Sequence, residues 1–129
     1  MTYVWMTFIS LGIFVVIDAI WLGLVAPKFY KRHLGHLLAE KPNFIAAIIF
    51  YVVYLLGMGY LIVWPAIEGG QVGLGFLKGA IFGLVAYATY DLTNLATLKK
   101  WSIKVTVIDL IWGTCLSSLI AGLTTLILV

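Results

Sequence analysis

Four long apolar runs, separated by three polar connections, account for nearly the whole chain. They cover residues 3–26, 43–64, 72–98 and 103–129. Each meets or exceeds the roughly 20 residues needed to cross a hydrocarbon core. Backbone groups in lipid must be satisfied inside the segment, and a closed barrel would need many short strands, so helices remain. The pattern predicts an all-α polytopic membrane protein, a four-transmembrane-helix bundle in a single domain, 1–129. Pro27 is expected to close the first helix, Pro42 to open the second and Pro65 to close it. Met1-Thr2-Tyr3 carries no basic charge and no small-residue cleavage signal follows the first run, which therefore reads as a retained helix.

Composition points the same way. The chain is 64% hydrophobic and 10% charged, where a soluble domain carries about 25% charged residues. Lipid is thus the solvent for most of the surface. The charges are more informative by position. Lys28, Lys31, Arg32 and Lys41 lie in or beside the first connection, and Lys99, Lys100 and Lys104 in or beside the third. The second has Glu68 and no basic residue. The positive-inside rule then places the first and third connections in the cytoplasm and both termini outside it. Lys78, inside the third run, can snorkel. Tyr3, Trp5 and Trp64 mark one interface; Tyr30 and Trp101 mark the other. Such short basic runs read as membrane anchors and offer no stacking platform, so the partners are membrane lipids and not nucleic acid. A homodimer is compatible with the sequence. Cys115 is the only cysteine, which excludes an internal disulfide, and its apolar surroundings point to a packing role.

The first connection is long for a helical hairpin. FYKRHLGHLLAE (residues 29–40) fits a short interfacial helix, with Phe29, Leu34, Leu37 and Leu38 toward lipid. Gly35 weakens it. His33 and His36 are three apart, but no third ligand is close in sequence, so no metal is assigned. In the second run Tyr51, Tyr54 and Met58 share one side, and Gly57 and Gly59 permit close packing or a bend.

The third run organises the rest. Gly75, Gly79 and Gly83 recur every four residues, a repeated small-xxx-small pattern that invites close approach of another backbone. On the same wheel Tyr87, Tyr90, Asp91, Asn94 and Thr97 fall within about a 120° arc that includes Gly83. The packing face thus becomes a polar face toward the lysines.

Three acids lie within the runs. Counting 1.5 Å per residue, Asp18 is about 14 Å from Pro27, Asp91 about 12 Å from Lys99 and Asp109 about 8 Å from Lys104. Similar depth on three helices predicts that they are mutual neighbours. A carboxylate at bilayer depth costs a few kcal/mol, on the order of 3, and must be paired, neutralised or hydrated. No Lys or Arg lies deep enough to serve. The protein donors are Asn94, Thr93, Thr97, tyrosine hydroxyls and the indoles of Trp21 and Trp112. A bound proton, metal ion or ligand amine would also answer. Interhelical adhesion is the plainer explanation, but Asn or Ser could supply that without a titratable group.

Val16-Ile-Asp18-Ala-Ile-Trp21 matches Val107-Ile-Asp109-Leu-Ile-Trp112 at five of six positions. Two such copies on oppositely directed helices would be related by a two-fold axis in the membrane plane. These motifs, with Thr89-Tyr-Asp-Leu-Thr-Asn-Leu-Ala-Thr-Leu-Lys-Lys-Trp101 and Asp109-Leu-Ile-Trp112-Gly113, resemble a family of small bacterial inner-membrane proteins of unknown function. The resemblance covers essentially the full length. It implies the architecture and the site position. Ser102 stands where the family pattern is expected to have proline.

The leading expectation is binding or transport of a small cationic ligand or proton at the Asp cluster. Asp91 would be the central acceptor, Asp18 and Asp109 would flank it, Tyr90 and Asn94 would orient it, and Tyr87, Trp21 and Trp112 would line the site. One alternative is an integral-membrane enzyme acting on a lipid or isoprenoid, with one protonated and one ionised Asp as general acid and base. Another is a structural or assembly partner whose glycine ladder grips a second membrane protein. The sequence names no cofactor.

Overall fold

The computed structural model of the chain describes residues 2–38, 41 and 43–129. The expected role of Pro42, the Ala39-Glu40 end of the interfacial segment and the Met1 reading lie outside these residues. All regular structure among the described residues is helical: α1 (Thr2–Leu24), α2 (Ala26–Leu34), α3 (Phe44–Met58), a π-helical turn (Gly59–Val63), α4 (Trp64–Glu68), α5 (Val72–Thr97) and α6 (Ile103–Leu128). Four continuous helical stretches are long and apolar enough to cross a membrane: Thr2–Leu24, Phe44–Glu68, Val72–Thr97 and Ile103–Leu128.

Two prolines each open a helical turn, and at Pro65 this departs from the expected helix end. The first helix breaks at Val25 (φ −120°, ψ −51°), and Pro27 then lies in the first turn of α2. A proline there loses no hydrogen bond within α2, so α1 ends just before Pro27 and the same residue opens the next helix. Pro65 likewise occupies the first turn of α4, and the helix runs through it to Glu68. The π turn makes this feasible. Trp64 N–H reaches back to the Gly59 carbonyl, and the widened turn loosens the backbone ahead of a residue that has no N–H to give.

Side-chain caps fix two starts. Asn43 accepts from the Ala46 N–H at 3.1 Å and Ser102 from the Val105 N–H at 3.2 Å. Ser102 therefore opens α6 by capping it, where a proline would have done so by fixing φ. Between α5 and α6 the chain reverses through Lys100 in the left-handed region (φ 60°).

Helix α6 is the central element, with buried residues from Val105 to Thr125. Its most extensive partner is α5, and α1 follows. The apolar core lies in the half away from the Lys99-Lys100 turn: Met6, Phe14, Tyr54, Leu55, Met58, Ile62, Leu116 and Ile120 pack there. Gly59 faces the Met6 side chain, where an added Cβ would lie 3.2 Å from Cε. Tyr3 and Trp64 meet at that end, ring centroids 6.3 Å apart. At the basic end the first turns of α3 stand clear of the bundle, with Phe44, Ile45, Ile48 and Ile49 all exposed. The bundle is closed at one end and opens toward the other.

Several single-residue expectations change. Leu34 is buried and does not face outward, whereas Leu37 and Leu38 are exposed. The interfacial helix stops at Leu34, before Gly35. Cys115 is exposed, not packed, because α6 turns Gly113, Leu116 and Ser117 inward and leaves position 115 on the outer side.

Candidate functional site

The α5–α6 hairpin is an antiparallel ladder with a rung every four residues. An added Cβ at Gly75 would lie 2.7 Å from Thr125 Oγ1; at Gly79, 2.7 Å from Ala121 Cβ; at Gly83, 2.5 Å from Ser117 Oγ. No side chain fits at any of the three. The Ser118 hydroxyl donates to the Phe76 carbonyl at 2.8 Å, pinning the register. One rung further, the Tyr87 ring lies on Gly113. The next rung is Asp91 against Asp109. The close-packing face leads directly into a pair of facing acids.

Asp91 is 0% exposed and Asp109 6%. Their carboxyl groups come within side-chain hydrogen-bonding reach of each other. Neither oxygen of Asp91 meets a protein donor. Asp109 accepts a hydrogen bond from the Tyr30 hydroxyl. Burial, and then the Asp109 hydrogen bond, push the Tyr30 phenol above its ordinary value, so it stays a donor. Tyr30 was expected in an aromatic belt. It reaches the acids because the break at Val25 turns α2 back toward α6, which no spacing rule in the sequence foretells.

Asp18 does not join the pair. It lines a cavity of about 330 Å³ between α1, α3 and α5, together with Phe14, Ala47, Phe50, Tyr51, Ala86, Tyr87 and Tyr90. Five of these side chains are aromatic. Among the described residues no basic side chain lines it. Phe14 rests on Tyr51, ring centroids 4.9 Å apart. Tyr87 lies in electrostatic range of both Asp18 and Asp109, so it forms the partition between cavity and pair.

The repeated motif explains the separation. Trp21 stacks on Trp112, ring centroids 4.3 Å apart and 13° from parallel. On antiparallel helices this brings the two tryptophans to one level. Each Asp is three residues from its Trp, and the two directions oppose, so Asp18 and Asp109 are about 9 Å apart along the bundle axis. Counting depth from Pro27 missed this, because it set Pro27 and Lys104 at a common level, whereas the indole stack shows how α1 and α6 are offset. Beyond the stacked indoles a second, apolar groove is lined by Val25, Phe29, Ile108, Ile111 and Cys115.

The other expected residues occupy the margin. Tyr90 is 58% exposed at the cavity rim, edge-on to Trp101 at 5.9 Å and in reach of the Asn94 side chain. Thr97 turns its hydroxyl to the Thr93 carbonyl at 2.8 Å and takes no part. His33 packs on Phe29 with centroids 4.8 Å apart. Among the described residues no group of three or more His, Cys, Asp or Glu side chains could hold a metal ion. Phe14 and Phe50 were not anticipated, although Phe14 lies one helical turn before Asp18 and shares its face. Tyr54, from α3, hydrogen-bonds the buried Ser117 hydroxyl below the cavity.

Residues 3–126 match the family described as predicted membrane protein (DUF2177). No curated protein and no solved structure matches the chain.

Proposed function

The chain belongs to that family of membrane proteins, and we propose that it binds an organic cation with an apolar body in the Asp18 cavity. The observation that carries the reading is a lone carboxylate in an aromatic-walled cavity with no basic side chain among its lining. A cavity of about 330 Å³ suits a small ligand. A ligand ammonium would supply the counter-charge that Asp18 lacks. The tyrosine and phenylalanine faces would add cation–π attraction, about 0.5–2 kcal/mol for each well-placed ring. The apolar part of the ligand would follow the exposed first turns of α3 toward lipid.

In this reading the lysine-bearing end is cytoplasmic and both termini lie across a bacterial inner membrane, as the charge asymmetry favours. Movement of the bound cation across the bilayer is the natural extension, since the closed apolar core is all that separates the cavity from the far side. The lipid-enzyme alternative is less favoured. It needs two carboxyls touching one substrate, and Asp91 is fully enclosed.

The test compares hexylammonium with its neutral counterpart hexanol, titrated into purified protein while tyrosine fluorescence is followed. Saturable binding of the ammonium with much weaker binding of the alcohol is expected. Equal binding of the two would contradict the reading.

A further inference from the structure

Asp91 and Asp109 stand apart from the cavity and have no part in the cation reading. Asp91 is wholly buried with both oxygens unpartnered, while Asp109 faces it and accepts from Tyr30. Two ionised carboxylates can only accept, so they cannot bond to each other. Facing one another out of water, they repel. A single proton removes both difficulties.

We propose that Asp91 and Asp109 form a second binding site, for one proton, held on Asp91 and donated to the Asp109 carboxylate. The assignment within the pair follows from the partners. Asp109 already receives the Tyr30 hydroxyl hydrogen, and this stabilises its charged form. Asp91 receives nothing, so its neutral form is the one suited to an enclosed position. The resulting chain runs from the Tyr30 hydroxyl to the Asp109 carboxylate, and from the Asp91 acid to the same carboxylate. Two donors then meet one anion, and a charge-assisted O–H···O bond is about twice as strong as a neutral one.

The titratable groups facing the pair are Tyr30 from α2 and, from α5, Tyr87 and Tyr90. From α1, Trp21 approaches the Tyr30 hydroxyl and does not titrate. Among the described residues no lysine, arginine or histidine acts on either carboxyl. The counter-charge for the second acid is therefore a proton and not a side chain.

Infrared spectroscopy of the full chain in lipid nanodiscs at neutral pH tests this through the carbonyl band of a protonated carboxyl. The wild type should show the band. Asp91→Asn should lose it. Asp109→Asn should keep it at a shifted frequency, because the acid then bonds to an amide, and Asp18→Asn should leave this component in place. Asp91→Asn should also fold, since an amide is a neutral isostere that can donate to Asp109. The proposal is overturned by absence of the band in the wild type, by its survival in Asp91→Asn, by its loss in Asp18→Asn, or by an Asp91→Asn chain that does not fold. Loss of the band when sodium, potassium, magnesium or calcium is added at constant pH would overturn it in favour of a metal cation.

Discussion

Trp21 lies flat on Trp112, ring centroids 4.3 Å apart, and the contact marks where α1 and α6 stand level. It places the two copies of the Asp-x-x-Trp motif about a common level and sends their acids in opposite directions. Asp109 goes to Asp91 and Tyr30; Asp18 goes to the aromatic cavity. A double-mutant cycle on Trp21→Ala and Trp112→Ala should return a coupling of about 0.5–1.5 kcal/mol, the worth of an aromatic pair beyond its buried area. Additive losses in a reversible unfolding assay would mean that the stack does not set the register.

The ladder predicts sharply position-dependent glycine substitutions. Gly83→Ala would drive a methyl against Ser117, and overpacking of this kind costs about 1–3 kcal/mol. Gly12 and Gly73 have nothing within 4 Å of an added Cβ. Alanine there should be neutral or slightly stabilising, within about 1 kcal/mol of wild type. Unfolding measurements on the three variants check the contrast.

Tyr30 predicts a pH dependence with a definite sign. An unfolded phenol ionises near pH 10, and the folded one holds its proton to higher pH. The stability it confers is therefore complete below about pH 10 and declines as pH rises past that value, where the unfolded chain releases a proton that the folded chain keeps. Tyr30→Phe should remove part of that alkaline decline. It should also lower stability at neutral pH by about 1.5–3 kcal/mol, the range for a hydrogen bond to a charged group. Stability measured across neutral and alkaline pH reads both effects.

Orientation is tested by labelling. In a Cys115→Ala background, Glu68→Cys should react with an impermeant maleimide in intact cells, and Lys99→Cys only after lysis. The charge asymmetry of the connections dictates this order, and the reverse order would invert the proposed topology.

Much of this was readable in advance, for identifiable reasons. Long apolar runs give spans because lipid leaves the backbone no other choice. The Gly75-Gly79-Gly83 face was visible, and its partner was present too: Gly113, Ser117, Ala121 and Thr125 recur at the same interval on α6. Extending the α6 series one step meets Asp109, and extending the α5 series two steps, through Tyr87, meets Asp91, so their opposition was open to derivation. The position of Asp18 was not. It depends on the indole stack, and depth counted from Pro27 assumed that the helix ends stand at one level. Tyr30 was hidden for a related reason: Pro27 announces an interruption of the helix, but not that the chain resumes at once as α2 and turns its third residue beyond the proline toward α6.

Asp18 is the charge that receives the cation in the proposed function. Its most direct test is the dissociation constant of hexylammonium for the wild type, Asp18→Asn and Glu68→Gln, the last removing a carboxylate outside the cavity. The expected result is a loss of about tenfold or more, about 1.4 kcal/mol, in Asp18→Asn, with Glu68→Gln unchanged. Undiminished binding in Asp18→Asn would contradict it.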